Sequence, residues 1–78
     1  MNAIAHYLNE TGTRMYSYLA VFIGRHVGAI GVFERHTCWL MAASPEDART
    51  RLYDHYEHIH ALTVLNEDEG RAFELARL

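Results

Sequence analysis

Lysine is absent from this 78-residue chain, and its seven basic residues are all arginine. Ten acids stand against them, for a formal net charge of −3. That balance argues against a nonspecific grip on nucleic acid, which needs a surplus of cationic side chains. Cys38 is the only cysteine, so no internal disulfide can form. Between Thr37 and Trp39 in a strand-like run, it is expected to be a small core residue rather than a reactive thiol. No apolar run approaches the roughly 20 residues of a membrane helix. The start, Met1-Asn2-Ala3-Ile4, has neither the basic nor the apolar region of a signal peptide. The chain is therefore expected to be cytoplasmic. No repeat or linker divides it, and residues 1–78 are expected to form a single domain. A chain of this length buries only about 60% of its unfolded surface, so its stability is marginal.

Half of the residues are apolar, enough for a core. From Met15 to Ala43 the sequence is rich in Val, Ile, Phe, Tyr and Trp and reads as sheet. At Ser44-Pro45-Glu46-Asp47 the apolar period changes from two to about three and a half. Three strands are expected before that boundary, at Met15–Ile23, Val27–Phe33 and Thr37–Ala42. Gly24-Arg25-His26 and Glu34-Arg35-His36 would be the turns between them. Both alternating rows of the first strand are largely apolar, which predicts a central strand covered on both faces. Residues 2–9 fit either a short helix or an edge strand, and Asn9 to Thr13 reads as a turn.

Ser44 is a good N-cap, Pro45 suits the first helical position, and Asp47 completes a capping-box-like pair. The spacing of Ala48, Leu52, Tyr56 and Ile59 predicts a helix from Pro45 to His60. Its apolar face would pack on Leu19, Val21, Val32 and Leu40. Ala61–Leu65 reads as a fourth strand. Asn66, followed by Glu67, Asp68 and Glu69, reads as the start of a short terminal helix. The expected fold is α+β: a three- to four-stranded, mainly antiparallel sheet with one main helix packed on it, in the order βββαβ plus a C-terminal helix.

No catalytic motif is present. The polar run Asp54-His55-Tyr56-Glu57-His58-Ile59-His60 would place His55 and His58 as helical neighbours able to share a metal. It does not match H-E-x-x-H and has no distant Cys/His pair, so no metal or other cofactor is expected. Gly24, Gly28 and Gly31 do not have the spacing of a phosphate loop. Ser17, Thr37, Cys38 and Ser44 are available nucleophiles outside any recognisable motif, and His26, His36 or the histidines of the predicted helix (His55, His58, His60) could serve a ribonuclease as acid and base. Tyr16, Tyr18, Phe33 and Trp39 could stack bases beside Arg25 and Arg35, although aromatics on strands are core by default.

The charge is unevenly divided. Residues 1–43 carry a net of +1 and residues 44–78 a net of −4. The acidic half, with five tyrosines in the chain, suggests a non-catalytic protein that binds a partner protein by surface complementarity. The binding residues would be Glu46, Asp47, Tyr53, Asp54, Glu57, Glu67, Asp68 and Glu69. In size, single-domain layout and acidic helical half, the chain resembles small phage-encoded inhibitors of the anti-CRISPR type. The resemblance carries no motif, so no residue role transfers with it. It implies a target among nucleic-acid-binding complexes of a host cell. The high apolar content for so small a core also suggests a homodimer.

Overall fold

Both alternating rows of side chains after Arg14 are largely apolar, and this segment becomes the centre of the sheet. The computed structural model describes residues 7–8, 14–31 and 33–77. The chain forms β1 (Tyr7–Leu8), β2 (Arg14–His26), β3 (Glu34–Ala42), α1 (Pro45–Leu52), β4 (Tyr56–Asn66) and α2 (Glu67–Ala76). β2 lies between β3 and β4 and pairs antiparallel with each, while β1 pairs with its first two residues. β3 and β4 therefore run in the same direction, and α1 carries the chain across β2 from one to the other. The fold is α+β in the order βββαβα, with Tyr7–Leu8 rather than Val27–Phe33 as one of the three leading strands.

Each face of β2 is covered by one helix. Tyr18, Ala20 and Phe22 point to the first face, where Ala42, Ala48 and Leu52 complete two small buried clusters. Leu19 points to the second face and is fully buried beneath α2. The helix starts follow the cap chemistry. Ser44 Oγ accepts from the Asp47 backbone N–H at 3.0 Å. Asn66 and Glu69 form a reciprocal capping box at 2.8 and 3.0 Å.

Four expectations are corrected. The helix stops at Leu52 rather than His60, closed by Tyr53, Asp54 and His55 amides donating to carbonyls three residues earlier. Tyr56–Asn66 is one strand. Its Tyr56, Ile59 and Leu62 do pack on the Phe22–Leu52 cluster, with a spacing of three. Two β-bulges produce that spacing. Val21, Ile23 and Arg25, two apart, pair with Thr63, His60 and Glu57, three apart. The extra residues, His58 and Ala61, take positive φ angles of 55° and 52°. A bulged strand thus imitates helical periodicity. The predicted strand Val27–Phe33 is instead the connection between β2 and β3, and both expected turns lie within strands. Glycines at φ +82° (Gly28) and +130° (Gly31) break the extended run. Finally, α1 packs on the Tyr18–Phe22 row and Leu40. Leu19 and Val21 belong to the opposite face, because a strand alternates sides. Val32, the turn at 9–13 and most of the 2–9 segment lie outside the described residues.

Candidate interaction surfaces

The register of β2 fixes where each acidic residue falls. Ala42 pairs with Tyr16, and Asn66 with Tyr18. The two helices therefore begin at the same end of the sheet, one on each face. Their first turns bring Glu46 and Asp47 to one side of that end and Glu67, Asp68 and Glu69 to the other. Carboxylates in these positions also complement the positive helix termini. Three of the five are held within the fold. Asp47 accepts from the Ala43 backbone N–H and from Arg51, both at 2.8 Å. These bonds, the backbone one first, hold its carboxyl below the ordinary range. Glu67 pairs with Arg71 at 2.7 Å, and Glu69 belongs to the capping box. Glu46 and Asp68 are exposed and make no ion pair with any described residue.

Tyr53, Asp54 and Glu57 lie at the other end, where β4 enters opposite His26. Tyr53 and Asp54 are exposed in the turn after α1. Glu57 is bound to Arg25 at 2.7 Å, and the Arg25 guanidinium stacks over Phe33. The eight predicted binding residues thus form two groups at opposite ends of the sheet.

The histidines are rearranged by the loss of the predicted helix. His55 lies in a turn, and His58 and His60 lie in β4, so the helical neighbour relation between His55 and His58 does not exist. His58 and His60 instead lie near Phe33, with ring centroids at 5.5 and 6.3 Å. Among the described residues no group of three His, Cys, Asp or Glu side chains is placed to hold a metal ion. The base-stacking candidates are divided as well. Tyr18 is buried under α1, whereas Phe33 and Trp39 are exposed on the α2 face.

One constellation is not apparent from spacing. Phe22 pairs with His36, and His26 with Tyr56, which gathers four rings on the α1 face. His26 lies 4.5 Å from Tyr56 and 5.6 Å from His36, centroid to centroid. His36 stacks on Phe22 at 5.3 Å, and its Nε2 lies 3.2 Å from the Gly24 carbonyl oxygen. Cys38 lies beside Tyr56, and burial raises both the thiol and the phenol above their ordinary values. Cys38 also packs against the Ala20–Phe22–Leu52 cluster, and a raised thiol is a poor nucleophile at neutral pH. His26 and His36 are ten residues apart in sequence, and only the strand register could have paired them.

No helix among the described residues is long and apolar enough to cross a membrane. No protein-family model, curated protein or solved structure matches the chain.

Proposed function

We propose that this chain is a non-catalytic interaction protein that binds a basic surface on another macromolecule. The observation that carries the reading is the gathering of two acidic helix starts at one end of the sheet. Glu46 and Asp68 project there without ion partners among the described residues, on opposite faces of a thin slab. Nucleic-acid-binding complexes expose arginine- and lysine-rich channels, and a compact acidic end can enter such a channel in place of phosphate. Charge complementarity of this kind speeds encounter and discriminates among partners. The resemblance to phage inhibitors of the anti-CRISPR type points the same way, toward a host nucleoprotein complex in the cytoplasm. Affinity capture from a bacterial lysate, repeated across a salt series, is the test. The double variant Glu46→Lys, Asp68→Lys should lose the captured partner, and the parent's binding should weaken as salt rises. Equal capture and equal salt dependence for parent and variant would refute the acidic-end reading.

A second reading rests on the His26–His36 pair. Two imidazoles a few ångströms apart can act as acid and base in cleavage of a phosphodiester. Activity on single-stranded RNA that disappears in both His26→Ala and His36→Ala would establish this reading in place of the first.

A further inference from the structure

The residues joining β2 to β3, Val27-Gly28-Ala29-Ile30-Gly31-Val32-Phe33, include no polar side chain. Connections of this kind normally run through water and are polar. Here Ile30 is 100% exposed, Val27 56% and Phe33 46%. The adjoining sheet face is also open. α2 covers the Leu19 end of that face and leaves Ile23 38% and Trp39 39% exposed. The buried core among the described residues, by contrast, consists of eight apolar residues, three of them alanine. At ordinary side-chain areas the five exposed residues present about 600 Å² of largely apolar surface. This is at the upper limit of what a monomer normally exposes in one patch.

We propose that Val27, Ile30 and Phe33 of the loop, with Ile23 and Trp39 of the sheet, form the interface of a homodimer. The area is adequate. Two such surfaces would remove about 1,200 Å² from water, above the roughly 1,000 Å² that a specific interface requires. The small core decides the occupant. With so few buried side chains among the described residues, the fold needs its apolar surface covered, and a second copy is the partner always present. Charge permits the contact. Arg25, on this face, is neutralised by Glu57, and exposed Arg35 suits an interface, where arginine is enriched. The loop lies at the end of the sheet remote from Glu46 and Asp68, so the dimer leaves the acidic end free and does not depend on its role.

Ile30 is fully exposed, so its replacement removes no packing against the described residues. In an isolated protomer, Ile30→Asp would leave the melting temperature unchanged. The experiment combines light scattering on gel filtration with thermal melts over a dilution series, for the parent, Ile30→Asp and Phe33→Asp. The parent is expected at twice the 9.0 kDa chain mass, with a melting temperature that falls on dilution. Ile30→Asp is expected to raise the dissociation constant at least about tenfold and to lower the melting temperature where the parent is dimeric. It carries the test even if Phe33→Asp fails to fold. A parent at the mass of one chain throughout would overturn the proposal. So would a dimer whose dissociation Ile30→Asp leaves unchanged, and so would a monomer that sediments with phosphatidylserine vesicles, which would assign the patch to a bilayer.

Discussion

Gly70 sits inside α2, where glycine is a poor helix former, and the reason is the closeness of the sheet. A Cβ at this position would lie 2.6 Å from Trp39 Cη2 and 2.9 Å from Leu19 Cβ. Helix propensity alone predicts that Gly70→Ala stabilises the protein by about 1 kcal/mol. Overpacking of this severity costs about 1–3 kcal/mol. The two obstacles differ. The Trp39 ring can swing, since the residue is partly exposed, but it would give up the hydrogen bond from Nε1 to Glu74 at 3.1 Å. Leu19 Cβ is fixed to the central strand and can move only with the backbone. The steric cost therefore offsets or exceeds the propensity gain, and we expect a net loss of about 1 kcal/mol, at most about 2, with about 4–8 °C in melting temperature per kcal/mol for a domain of this size. Urea denaturation followed by circular dichroism, at one protein concentration, measures it. Trp39→Phe removes the outer indole atoms, so Gly70→Ala should cost less in that background, with part of the penalty remaining at Leu19. If Gly70→Ala proved more stable than the parent, the close docking of α2 on β2 would be refuted.

Ala61 holds a left-handed conformation that costs an L-residue about 1–2 kcal/mol. Part of this is recovered in Ala61→Gly, which should stabilise the fold by about 0.5–1 kcal/mol in the same denaturation assay. Leu52 is buried at the centre of its cluster, and Leu52→Ala should cost about 2–5 kcal/mol, enough to unfold much of the population at 37 °C. The Asp47 carboxyl is held below its ordinary value in the folded state. Its contribution is therefore complete above the unfolded carboxyl value near pH 4 and is lost as pH falls through the lower folded value. Asp47→Asn should be less stable than the parent at pH 7, and the difference should shrink on acidification below about pH 4, read from melting temperatures across pH.

Features set by local chemistry were legible in the sequence. Ser44 and Asn66 announced their helices because a cap is decided within four residues. The doubly apolar β2 announced a central strand because both faces are written in its alternation. What failed was decided by tertiary contacts. The three-residue spacing of Tyr56, Ile59 and Leu62 suits a helix, yet pairing with β2 and two bulges produces the same spacing in a strand. Composition alone made a strand of Val27–Phe33, where two positive-φ glycines make a loop. The acids at the two helix starts could be identified from the sequence, but not their convergence on one end, since that follows from the register of Ala42 and Asn66 on β2. The meeting of His26 with His36 depends on the same register.

The two bulges of β4 also make the borders of the sheet unlike each other. β3 pairs with β2 over nine consecutive residues without interruption, and no described strand occupies its other side. Its backbone donors and acceptors there keep the regular repeat that an incoming extended segment requires. β4 has left-handed residues at His58 and Ala61, so its amides and carbonyls are out of step and its border is a poor template. Growth of the sheet is therefore directional. A foreign strand, or a misfolded copy at high concentration, would add beside Thr37 to Met41, and a single proline on that border would block it.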